Sequence, residues 1–110
     1  MYKRQVLGRA IPLFEQYLAD TERVLGPDHP DTLTSRGTLA NAYHDAGDLG
    51  RAIPLLERTL ADRERVLGPD HPDTLTSRND LARAGRSRRS NLARIRRSWR
   101  SNRARIRRPQ

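Results

Sequence analysis

An eleven-residue block, Gly26-Pro27-Asp28-His29-Pro30-Asp31-Thr32-Leu33-Thr34-Ser35-Arg36, returns unchanged at Gly68–Arg78, an offset of 42 residues. Gly8-Arg9-Ala10-Ile11-Pro12-Leu13 returns at the same offset as Gly50-Arg51-Ala52-Ile53-Pro54-Leu55. Two separate blocks sharing one period define a repeat protein, in which each unit buries its apolar face only against its neighbours. That requirement constrains the fold more than any single residue does.

The repeat unit reads as two helices. Over residues 8–25, Ile11, Phe14, Leu18 and Leu25 recur at helical spacing. Gly26-Pro27 stops this helix, and Asp28 or His29 caps the next, with Pro30 in its first turn and Asp31 at the positive end of the dipole. The second helix is predicted over Pro30–Ala46, with Leu33, Leu39, Ala40 and Tyr43 on its apolar side. Gly47-Asp48 ends it and begins a third, Leu49–Leu67, striped by Leu49, Ala52, Ile53, Leu56, Leu60 and Leu67. Pro54 is expected to loosen or kink the first turns of that helix by crowding the carbonyl of Gly50, as Pro12 crowds that of Gly8. A fourth helix follows Pro72 and includes Leu75, Leu81 and Ala82, after which the pattern fails: Gly85 stands where Tyr43 stood.

Charge divides the chain at the same place. Residues 1–82 hold ten Lys or Arg and all thirteen Asp and Glu, a balance of −3; residues 83–110 hold twelve Arg and no acid, a balance of +12. The organisation expected is a repeat region over 1–84 (a partial repeat 1–29, a full repeat 30–71, a partial repeat 72–84) and a basic tail over 85–110.

Leu39, Ala40, Tyr43, Gly47 and Ala52, followed by Leu56 and Leu60, fill the spacing of the tetratricopeptide repeat (TPR), which the chain resembles in its longer, kinesin-light-chain form. The connectors Leu25-Gly26 with His29-Pro30 and Leu67-Gly68 with His71-Pro72 carry the same resemblance. Arg36 stands where the general pattern has tryptophan, and Gly37 and Thr38 where such proteins often have asparagine. The resemblance implies an all-α fold of antiparallel helical hairpins stacked as a short right-handed superhelix, an α-solenoid fragment. It implies a scaffold that holds another protein or peptide on a concave face lined by the first helices. By position, Thr34, Gly37, Asn41, His44 and Asp45 would face that groove. Such repeats in bacteria often form the C-terminal array of larger signalling NTPases, so a bacterial source is expected.

About three repeats are usually needed for a stable stack. With fewer than two, the chain reads as a fragment of a longer array or a decayed gene, and pairing of two chains through unpaired repeat ends would extend the stack.

The tail has its own echo: Ser90-Asn91-Leu92-Ala93-Arg94-Ile95-Arg96-Arg97 is followed by Ser101-Asn102-Arg103-Ala104-Arg105-Ile106-Arg107-Arg108. Eleven residues is close to three helical turns, so a helix would set Leu92, Ile95, Trp99 and Ile106 in one thin stripe flanked by arginines. Three readings compete. Arg94, Arg96, Arg97, Arg100, Arg105, Arg107 and Arg108 would track nucleic-acid phosphates with Trp99 stacking on a base. Alternatively the helix docks back onto the acidic repeats, or the segment is out-of-frame translation of a GC-rich gene.

Catalytic chemistry is not expected. Neither a phosphate-binding Gly-x-x-x-x-Gly-Lys loop nor Gly-x-Gly-x-x-Gly occurs, and the absence of cysteine removes thiolate metal sites, disulfides and a cysteine nucleophile. His29 and His71 belong to the repeated connector, and no cofactor or metal is implied. The N-terminus lacks the apolar run of a signal peptide and no stretch has the composition of a membrane span, so a cytoplasmic location is expected.

Overall fold

The computed structural model describes the backbone of residues 2–107 and the side chains of residues 5–101. Among the described residues four helices follow one another: α1 (Tyr2–Leu25), α2 (Pro30–Asp45), α3 (Leu49–Leu67) and α4 (Pro72–Arg107). Each packs on its successor, and α2 and α4 also meet directly, so the first helices of successive repeats lie side by side.

The repeated connector explains the sharp turns. Gly26 and Gly68 adopt φ of 91° and 94°, conformations that a Cβ would strain. Of the two residues expected to cap α2, it is His29 that does so: its Nδ1 accepts the Asp31 amide at 3.1 Å, and His71 repeats the contact with Asp73 at the same distance. Pro30 and Pro72 open their helices, where no amide donor is lost. Asp48 caps α3 by accepting the Arg51 amide at 3.2 Å. The helices α1 and α3 continue unbroken through Pro12 and Pro54.

The core is thin. Leu39, Tyr43 and Ala52 form one cluster with Ile11, Phe14, Leu18 and Leu55 against it, and Ala40, Leu56 and Ala84 form another with Ile53, Leu55 and Leu81. Full burial of a leucine or phenylalanine contributes about 1.5–3 kcal/mol, and half of the buried apolar side chains among the described residues are alanines. Small residues let the helices approach closely, and hydroxyls then enter the interior: Thr32, Thr59, Thr74 and Ser77 are all buried. The stripe read from sequence holds for α2 and α3. It needs correction at the ends, where Leu25 and Leu75 are exposed, Ala82 faces solvent and Ala84 takes the buried position.

Arg36, the residue standing in place of tryptophan, is completely buried. Its Nη1 donates to Asp62 Oδ2 of α3 at 2.6 Å, its Nη2 donates to the carbonyl of Pro27 at 3.3 Å, and Glu22 of α1 lies 3.7 Å away. A guanidinium therefore ties three helical elements together where an indole would pack. Beside it Arg65 holds Asp28 in a two-pronged pair at 3.1 and 2.7 Å. That hydrogen bond, strengthened by the charges of Arg65 and Arg36, holds the Asp28 carboxyl below its ordinary range.

Beyond Arg89, α4 leaves the repeats. Every described side chain from Ser90 to Ser101 is exposed, so the helix does not fold back onto the acidic region. None of the helices is long and apolar enough to cross a membrane, among the described residues.

Candidate functional site

The face shared by α2 and α4 is built from the second half of α2. Thr34, Asn41 and Asp45 follow one another at spacings of seven and four, which sets them on one side of the helix. Asn41 is half-buried and held from two sides. Its Nδ2 donates to Asp80 Oδ2 of α4 at 3.1 Å, and its Oδ1 accepts Arg83 Nη2 at 3.2 Å. Arg83 in turn lies 3.9 Å from Asp80. His44 reaches across the same seam, with Nε2 3.1 Å from Ser87 Oγ and Nδ1 3.5 Å from Asp45 Oδ1. The result is a polar row running along two helices, with the charges of Asp80, Arg83 and Asp45 at its open edge.

Thr34 occupies a different part of α2. It lines a hollow of about 330 Å³ between α1 and α2, together with Phe14, Tyr17, Asp31, Ser35 and Thr38. Gly37 is a correction: it is buried, and a Cβ there would sit 3.7 and 3.8 Å from the guanidinium nitrogens of Arg63. It faces α3 rather than open solvent. Asn41, His44 and Asp45 are thus brought together, Thr34 is set apart on the same helix, and Gly37 leaves the set.

Sequence reasoning missed Asp80, Arg83 and Ser87, the α4 half of the row. They lie where the repeat decays, so no internal copy marks them. It also missed Arg63, buried against Ser77 Oγ (2.8 Å) and the carbonyl of Asp73 (3.3 Å) because Gly37 leaves it room. Arg36 had a signal that went unused: it lies inside the invariant block, and its acidic partner Asp62 recurs 42 residues earlier as Asp20.

Near the C-terminal end of α2, Tyr43 joins three helices. Its hydroxyl donates to Glu15 Oε2 of α1 at 2.5 Å, and the Arg51 guanidinium lies 5.8 Å from its ring centroid. Burial, reinforced by the bond to Glu15, pushes the phenol above its ordinary value.

Along the basic part of α4, Arg94, Arg96, Arg97 and Arg100 are exposed, and Trp99 is 66% exposed. Arg105 and Arg107 fall within the helix, but their side chains lie outside the described residues, and Arg108 lies outside them altogether. No group of three or more His, Cys, Asp or Glu among the described residues is arranged to hold a metal ion.

A family profile described as Tetratricopeptide repeat matches residues 2–31 and 32–73. Among solved structures, the chain is similar to the nearly identical TPR-like repeats assigned to a kinesin light chain of Podosopora anserina, with 33% identity and a TM-score of 0.74. The match covers 81% of this chain and 43% of that one. A point variant of the same repeats gives the same identity and TM-score, with 42% of that chain covered. The chain thus spans less than half the length of these structures. Nothing among the curated protein sequences matches.

Proposed function

Because the chain belongs to the tetratricopeptide repeat family, in its kinesin-light-chain-like form, we propose that it holds a partner polypeptide along the face between α2 and α4. The repeats make it a protein–protein interaction module; the residues and the face are our reading. The observation that supports this face is the double anchoring of Asn41 by Asp80 and Arg83. An amide already fixed in orientation loses little freedom when it bonds to a partner's backbone, and reduced ordering cost raises affinity. His44 and Asp45 extend the row, and the mixed charges of Asp80 and Arg83 favour a partner with both signs on its surface. Thr34, beside the α1–α2 hollow, would contact the partner's far end.

The test begins with peptides selected for binding from a displayed random library. Asn41→Ala and His44→Ala should each weaken the selected peptides by about tenfold, the effect of removing one well-formed polar contact. Glu57→Ala, on the exposed side of α3, should change nothing. Equal effects at all three positions would place the binding face elsewhere.

A second reading is supported by a separate observation, the fully exposed basic face of α4. Arg94, Arg96, Arg97 and Arg100, together with Arg105, Arg107 and Arg108, would neutralise phosphates while exposed Trp99 stacks on a base. It predicts RNA or single-stranded DNA binding that weakens steeply with salt and is lost on truncation after Arg89. Binding that survives that truncation would remove the basic helix from the mechanism.

A further inference from the structure

The invariant block supplies an internal measure of what each helix lacks. Leu33 in α2 is 1% exposed and its copy Leu75 in α4 is 44% exposed, though the eleven residues around them are identical. Ala40 is buried and Ala82 is not; Arg36 is buried and the Arg78 side chain is 44% exposed. The difference is that α2 is enclosed by α1, α3 and α4, whereas α4, among the described residues, packs on α3 and touches only the edge of α2. At the other end, α1 repeats α3 and packs on α2 with its outer face exposed: Thr59 is 1% exposed, whereas Tyr17 at the corresponding position is 59% exposed. Leu13, Val6 and Val24 are also exposed there. One end is a first helix without its second. The other is a second helix whose outer face is exposed.

We propose that these two ends join between copies, the α4 of one chain and the α1 of the next forming the hairpin that α2 and α3 form within a chain. The register follows from the 42-residue offset, and the charges required are all present. The 2.6 Å pair of Arg36 with Asp62 becomes Arg78 with Asp20 of the next copy. The pair of Arg65 with Asp28 becomes Arg23 of the next copy with Asp70. The flanking contact already repeats inside the chain: Arg36 lies 3.7 Å from Glu22, and Arg78 lies 3.7 Å from Glu64.

Size is complementary at two positions. Within the chain Gly37 makes room for Arg63; at the junction Asn79 faces Thr21, a larger residue against a smaller one. Leu56 against Ala40 becomes Phe14 against Ala82. The same register brings Arg88 and Arg89 towards Arg9 of the next copy, and this like-charge contact makes the association weak and concentration-dependent. Because the two contacting surfaces differ, growth is head-to-tail and open-ended rather than closed at a two-fold dimer.

The experiment is sedimentation velocity of the full chain from micromolar to millimolar concentration, with circular dichroism as the check on folding. The wild type should form a ladder of species that grows with concentration. Arg78→Glu and Asp20→Arg alter exposed side chains, so each should fold, and each alone should weaken association by at least about tenfold. Mixed in equal amounts they should associate again, because every junction between unlike chains then pairs opposite charges. A monomer throughout the range would overturn the proposal, as would a species that stops at two. Association unchanged in both variants, or no recovery on mixing, would also overturn it.

Discussion

Arg36 carries a full positive charge into a site that solvent does not reach, and its stabilising effect depends on Asp62 at 2.6 Å. Removing water from a guanidinium is costly, so the pair contributes little compared with apolar residues of the same size; removing one partner is another matter. Asp62→Ala should destabilise the fold by about 2–3 kcal/mol, measured by urea unfolding, somewhat less than for a fully buried pair because Asp62 is 20% exposed and Glu22 remains near. The double variant Arg36→Leu with Asp62→Leu should recover most of that loss. If Asp62→Ala behaves like an ordinary surface change, the charge is not held as the distances indicate. The sequence placed Arg36 in the right position of the right helix and left its burial unread. An arginine between a serine and a glycine reads as a surface residue, and the acid that makes burial tolerable lies 26 residues away.

At the scale of the helices, far more was legible. Gly26, Pro27, His29 and Pro30 specify a turn and a helix start through local chemistry alone, so the boundaries at Leu25 and Pro30 could be read directly. The effect of Pro12 and Pro54 could not. Both helices run on through their prolines, and periodicity and spacing do not show whether a helix will do so. The polar face was half legible for a related reason. Asn41, His44 and Asp45 share one side of α2 by spacing, which periodicity reveals. Their partners Asp80, Arg83 and Ser87 lie on the next first helix, where the repeat has drifted, and only packing brings them within hydrogen-bond distance. Gly37 failed in the opposite direction: spacing placed it near the groove, and the bulk of Arg63 turned that position into an interhelical contact. The basic part of α4 follows the sequence closely. Its residues have no apolar partner to reach, and Trp99, Ile95 and Leu92 remain in solvent along the helix.

For the whole molecule, the stability of a stack is a sum of unit terms and interface terms, with the two end units contributing least. The chain has three consecutive helix–helix interfaces, α1 with α2, α2 with α3 and α3 with α4, and open faces at both ends. The exposures of Leu75 and Tyr17 measure what those ends forgo. Inserting a second copy of residues 26–67 after Leu67 would add one complete unit without altering either end, since Gly68 would follow the same leucine as before. The longer chain should unfold at higher temperature, and its urea slope should rise by roughly 40%, in proportion to the surface newly buried. Head-to-tail association should be unchanged on a molar basis, because the α1 and α4 faces are the same. A longer chain no more stable than the original would mean that the units do not act additively. A longer chain that lost its tendency to associate would mean that association depends on an interior surface rather than on the ends.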